Sequence, residues 1–221
     1  MAPIITIDGP SGSGKGTIAS RLAGILGWRC LDSGALYRLL GYSAERAGVD
    51  LNNAQQLARL ALKMDIEFQE GLVLLNGEDV SLAIRTEQAG NAASKVAALP
   101  EVREALLTWQ RACAVEPGLV ADGRDMGSVV FPRAEVKVFL DASAEERARR
   151  RYKQLIEKGL SANLQSLVAE IRERDDRDRN RSVAPLKAPD GALIVDSTAL
   201  SIEEVLERVL ARVHETLPNL V

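Results

Sequence analysis

The residues with the clearest chemical content lie near the N-terminus, in Gly9-Pro10-Ser11-Gly12-Ser13-Gly14-Lys15-Gly16-Thr17. From Gly9 to Lys15 the spacing fits G-x-x-x-x-G-K. In that pattern glycines let backbone N–H groups converge on phosphate oxygens and the lysine adds a mobile positive charge. The loop follows the apolar residues Ile4, Ile5 and Ile7 and opens into helical spacing at Ile18, Leu22 and Ile25, the strand-to-helix setting such a loop requires. Position 16, where Ser or Thr commonly offers a hydroxyl to Mg²⁺, is glycine, and the hydroxyl comes one residue later at Thr17, the candidate metal ligand.

The remaining residues suited to chemistry are mostly arginines: Arg38, Arg103, Arg124, the group Arg147, Arg149, Arg150 and Arg151, and the charged run from Arg172 to Arg181. Transfer of a phosphoryl group is catalysed mainly by alignment and positive charge, so guanidinium groups suit it better than a covalent nucleophile does. Arg38 and Arg103 could equally be solvated, and the run 172–181 could be a helix laced with i,i+4 pairs. Arg124 follows a buried strand and Asp122-Gly123, at the sheet edge where open α/β sheets place ligands. The single histidine, His214, falls on the exposed side of the last helix, which excludes a histidine-based triad.

The elements that must position these groups alternate. Strands are read at 4–8, 28–32, 119–121, 136–141 and 192–196, and helices at 14–26, 52–63, from Pro100 through Cys113, 144–158 and from Leu164 through the charged run. A last helix starts at the capping box Ser201/Glu204. Such alternation predicts an α/β fold: a five-stranded parallel sheet covered by helices on both faces, as in P-loop kinases. Within it, Asp65 to Gly77 reads as short antiparallel strands with Gly71 and Asn76-Gly77 as turns, which predicts an inserted subdomain over 55–95. The whole of 1–221 is read as one kinase domain, with the insert and an arginine-rich lid at 144–165 as its moving parts.

The chain has 221 residues, 46% hydrophobic and 27% charged, with a net charge of −3. That balance suits an ordinary globular enzyme and argues against a general binder of nucleic acid or anionic membrane, which needs a concentrated positive surface. No eighteen apolar residues run together and Met1-Ala2-Pro3 leads straight into a strand, so no membrane span or signal peptide is expected. Cys30 and Cys113 sit in apolar segments without ligand spacing and are expected to be buried free thiols, in keeping with a cytoplasmic location. No long heptad appears, and a monomer is expected.

Together these blocks resemble the bacterial cytidylate kinases, within the nucleoside monophosphate kinases. The resemblance is carried by residues 7–17, whose Gly-Lys-Gly-Thr ending is typical of those kinases, Leu-Asp-Ser-Gly-Ala-Leu-Tyr-Arg at 31–38 and Ile-Arg-Thr-Glu at 84–87. Val-Arg-Glu-Ala-Leu at 102–106, Ala-Asp-Gly-Arg-Asp-Met-Gly at 121–127 and Arg-Asp-Asp-Arg-Asp-Arg-Asn-Arg at 174–181 complete it. It implies that ATP, with Mg²⁺, binds at the loop and donates its γ-phosphoryl to CMP or dCMP. It further implies that Ser33, Arg103 and Asp125 read the cytosine with Tyr37 packed nearby, that Ser94 and Asp178 sit by the sugar, and that Arg38, Arg124, Arg174 and Arg181 hold phosphates. Lys15, Arg124, Arg150 and Arg181 would neutralise charge during transfer, with Arg147 and Arg151 as further lid candidates. A P-loop kinase with another acceptor, such as UMP, and a nucleotide-dependent switch are the competing readings; the chain has no Asn-Lys-x-Asp or Asp-x-x-Gly element of the latter.

Overall fold

A computed structural model describes residues 2–69, 72–157, 159 and 161–218. The chain begins with β1 (Ile4–Asp8), α1 (Lys15–Leu26) and β2 (Arg29–Asp32). There follow α2 (Ser33–Ala47), α3 (Ala54–Ala61), β3 (Ile66–Gln69), β4 (Leu72–Leu75), β5 (Glu78–Asp79), α4 (Glu87–Val96) and α5 (Pro100–Ala112). The last part comprises β6 (Leu119–Gly123), β7 (Val136–Asp141), α6 (Ala144–Glu157), α7 (Leu164–Asn180), β8 (Leu193–Asp196) and α8 (Ile202–Thr216). These residues form two compact units, one from Met1–Leu31 with Cys113–Val221 and one from Asp32–Ala112.

In the first unit the sheet runs β2-β6-β1-β7-β8. Its central strand β1 pairs in parallel with β6, Ile4 opposite Leu119, and with β7, Ile5 opposite Val136. Strands covered on both faces are mostly apolar, and Ile5, Ile7, Val120, Val138 and Leu140 are fully buried. α1 adds Ile18 and Leu22 to this core and α8 adds Val205, Val209 and Val213. Each such aliphatic side chain contributes about 1.5–3 kcal/mol on burial. The capping box at Ser201 and Glu204 forms as the sequence predicts and fixes the start of α8.

The second unit holds the three-stranded antiparallel sheet β3-β4-β5, and Asn76 and Gly77 take the positive φ values that their turn needs. The turn expected at Gly71 and the helix end expected at Lys158 lie outside the described residues. α2 and α4 approach closely at Gly41, where a Cβ would stand 2.9 Å from that of Ala92. Neither helix is marked by apolar spacing. α2 is buried on several sides at Leu36, Tyr37, Leu39 and Leu40, so it shows no single stripe, and α4 is built mainly from small residues. Their signals are instead the capping residues Asp32 and Thr86, whose side chains accept from Ala35 N and Ala89 N.

The expectation of two buried cysteines is corrected. Cys30 is exposed on an edge strand and Cys113 is half-buried, and neither forms a disulfide. An edge strand has only one neighbour, so an apolar residue type there does not guarantee burial. Among the described residues no helix is long and apolar enough to cross a membrane.

Candidate active site

The phosphate loop leaves β1 at Gly9, whose N–H donates to Gly123 O of the neighbouring β6. A Cβ at Gly9 would meet Leu140 O at 2.0 Å, so only glycine allows the chain to turn there. Gly12 has φ of 78° and lies against the Arg147 side chain. α1 starts at Lys15 with its N-terminal N–H groups facing the loop, an arrangement suited to an anion. Inside the loop Ser13 Oγ is buried with no hydrogen-bond partner among the described residues.

The loop carbonyls have donors of their own. Arg147 Nη1 donates to Ser11 O at 3.1 Å. Arg150 Nη1 donates to Ser13 O at 3.3 Å, and Ser197 Oγ donates to the same carbonyl at 3.0 Å. With their carbonyls held from outside, the loop N–H groups stay turned inward. Arg147 itself is almost fully buried; its guanidinium meets both carboxylate oxygens of Asp175, and its Nε donates to Ala142 O at 2.9 Å.

One face of α7 and the residue just past it carry the rest. Arg174 Nη1 donates to Ser11 Oγ at 3.4 Å, Asp178 accepts from Arg124 Nε at 3.1 Å, and Arg181 Nη2 stands 3.6 Å from Asp125. The spacing 174, 178, 181 is that of one helical face, so the charged run is not uniformly solvated. Part of it is, at Arg172, Asp176 and Arg179, and Arg177 pairs with Glu173 four residues earlier, as an i,i+4 ladder would. Thr17 is exposed at the start of α1. Asp122 Oδ2 lies 3.1 Å from the point a Cβ would occupy on Gly16, so a carboxylate fills the place of the side chain that the common loop carries there.

In the second unit, Ser33 Oγ donates to Gln110 Oε1 at 3.0 Å, with both residues buried. Arg103 lies off the apolar stripe of α5 yet is buried, its guanidinium 5.7 Å from the centre of the Tyr37 ring and donating to Ala97 O at 3.3 Å. Arg38 Nη1 donates to Ile84 O at 2.8 Å and Thr86 O at 3.2 Å. Ser94 is buried on α4. Each unit thus gathers its own share of the residues singled out from the sequence.

Several partners were not legible in the sequence. Asp175 and Ser197 hold Arg147 and the loop, and Gln110 holds Ser33. Asp8 is fully buried at the end of β1, and its two carboxylate oxygens accept from Met126 N at 2.7 Å and Gly127 N at 2.8 Å. Burial pushes its carboxyl up to about 7, with the bonds from Gly127 and Met126 pulling the other way and Asp125 and Asp122 adding to the rise. A carboxylate interrupting an apolar strand was the one available signal.

The family model described as cytidylate kinase matches residues 5–215. A curated cytidylate kinase of Aeromonas salmonicida (strain A449) is 61% identical, covering 98% of this chain and 96% of its own. One of Stutzerimonas stutzeri (strain A1501) is also 61% identical, over 96% of each. Among solved structures, a gluconokinase from Sinorhizobium meliloti 1021 superposes with a TM-score of 0.51 at 16% identity, covering 99% of this chain and 95% of that one, which shows a shared fold. With the family model spanning nearly all of it, the chain belongs to the cytidylate kinase family.

Proposed function

We propose that, in the reaction of this family, transfer of the γ-phosphoryl of ATP to CMP or dCMP, the loop 9–17 binds the ATP phosphates and Lys15 neutralises charge on the transferring group. The observation that carries this reading is the α7 face that sets Arg174 against Ser11, Asp178 against Arg124 and Arg181 against Asp125. A phosphate arriving there meets guanidinium groups already oriented by carboxylates, and bidentate geometry favours its capture. The buried Ser13 hydroxyl offers the loop a further donor.

Asp125 suits the exocyclic amine of cytosine, whereas uracil would present an acceptor to the same carboxylate. Ser33, Tyr37, Arg103 and Arg38 are assigned to the base and phosphate of the acceptor nucleotide, and Ser94 and Asp178 to its sugar. Their burial and fixed partners support those roles, since groups already held in place lose little freedom on binding. Arg150 acts through the loop carbonyls that it holds.

The donor set fits Mg²⁺, a hard cation that takes one or two carboxylates, with phosphates and water completing its shell. Asp122, standing where a hydroxyl side chain would otherwise project from position 16, and Thr17 would hold it. When bound, it offsets negative charge on the β- and γ-phosphates. The enzyme is read as a cytoplasmic monomer acting on small molecules.

The deciding measurement is ADP release from ATP and Mg²⁺ with CMP, dCMP, UMP or no acceptor. Strong release with CMP and dCMP, little with UMP and almost none without acceptor is expected. Release that ignores the acceptor would replace the kinase reading with an ATPase. Lys15→Ala should lower turnover by about 10²-fold or more while leaving the fold intact by circular dichroism.

A further inference from the structure

The two residues Arg124 and Asp125 lie between two anchors, and both anchors are on the end of β1. On one side Gly123 is opposite Asp8 in the β1–β6 ladder, and its carbonyl accepts from Gly9 N at 3.2 Å. On the other side the Asp8 carboxylate takes the N–H groups of Met126 and Gly127, one on each oxygen. From there the chain enters a wide, π-type helical turn over 126–130, closed by bonds from Val129 N and Val130 N to Asp125 O. We propose that Asp8 is a positioning residue for base discrimination, its carboxylate fixing the turn that aims Asp125 at the cytosine.

The turn is shaped for this contact. A Cβ on Gly127 would stand 2.7 Å from Thr6 Oγ1 and 3.3 Å from Asp8 Oδ2, so glycine is what brings its N–H down onto the carboxylate. Asp125 is 2% exposed and Asp8 0%, so neither the held residue nor the carboxylate that holds its turn is loosened by exchange with water. A carboxylate accepts at both oxygens, whereas an amide of the same shape would turn a second N–H donor against one of the backbone donors. Asp8→Asn therefore leaves one of the two N–H groups buried and unsatisfied, while volume and strand pairing stay as they are.

The inference rests on Asp125 being the reader, and the experiment separates the two. Steady-state constants are measured for CMP, UMP and ATP in the unchanged enzyme, Asp8→Asn and Asp125→Asn. The expected result for Asp8→Asn is a CMP KM raised and a CMP-over-UMP preference in kcat/KM reduced, each by about tenfold, equivalent to one lost hydrogen bond, with the ATP KM changed by less than about twofold. A preserved preference overturns the proposal, including the case in which both KM values rise together, because that is the mark of a general scaffold role. If Asp125→Asn itself leaves the preference unmoved, Asp125 is not the reader. In that event the CMP-over-UMP preference of Asp8→Asn decides alone: a reduced preference keeps the positioning role, exercised through another group of the turn, and a preserved one ends it. Should Asp8→Asn fail to fold, Gly127→Ala lifts the N–H from the other side and is judged by the same preference.

Discussion

Among the described contacts, the arginines singled out from the sequence meet different groups in the two units. In the first, guanidinium groups are set against aspartates: Arg147 on Asp175, Arg124 on Asp178 and Arg181 beside Asp125. In the second, Arg103 lies over the Tyr37 ring and donates to Ala97 O, and Arg38 donates to the carbonyls of Ile84 and Thr86. A carboxylate cancels the charge that it orients, whereas a carbonyl or ring face orients a guanidinium and leaves its charge whole. Paired groups can wait in a dry place at modest cost and be recruited when a highly charged phosphate chain competes for them. Contacts to carbonyls and a ring face fix where a guanidinium points, so that it loses little freedom when a ligand arrives.

The sharpest way to break this contrast is to disturb the setting of one buried arginine in each unit. Asp175→Leu leaves Arg147 buried without its carboxylate and is expected to destabilise the protein by about 3–5 kcal/mol in urea unfolding. The double variant Arg147→Met with Asp175→Leu should recover most of that loss, because apolar residues of similar volume replace buried pairs well. Arg103→Met removes the contact with the Tyr37 ring and the hydrogen bond to Ala97 O. A smaller loss, about 1–2 kcal/mol, is expected. Equal losses for Asp175→Leu and Arg103→Met would erase the distinction between the two ways of holding arginine.

A gentler test uses pH. The Asp8 carboxyl lies at about 7 against an ordinary value of 3.8, so between those values the folded state binds more protons at this site than the unfolded chain does. Its contribution therefore favours folding at the acid end and fades as pH rises through the window. The groups facing it, Asp122 and Asp125, are both acidic and act in the same direction. Tm followed from about pH 4 to pH 7 should fall less steeply in Asp8→Asn than in the unchanged protein.

How much of this could be read from the sequence depended on whether a residue's role is local. The phosphate loop, β7 and the α8 capping box are written in consecutive residues, each with its own spacing rule, and they stand where the pattern places them. The families of residues at 31–38, 121–127 and 174–181 were also visible, though only as sets. Invisible were the pairings across long separations. Nothing in the charged run distinguishes Asp175, which meets Arg147, from Asp176 beside it, and nothing marks Asp8 as the acceptor for a turn far along the chain. Arg103 was left open between a solvated face and a functional role for the related reason that helical periodicity reports apolar faces. The polar side of α5 is buried too, at Arg103 and Gln110.

The order in which the chain is made gives the sheet one more property. The second unit is continuous from Asp32 to Ala112, so the partners within it have all been synthesised once Ala112 emerges. β1 is different: Ile4 waits for Leu119 and Ile5 for Val136, so the central strand of the sheet is among the first segments made and among the last to be paired. An apolar strand with two open edges is prone to pair with other chains. On the ribosome, the interrupted unit that carries the phosphate loop is therefore the one exposed to misassembly, and slowed translation before β6 would lengthen that exposure.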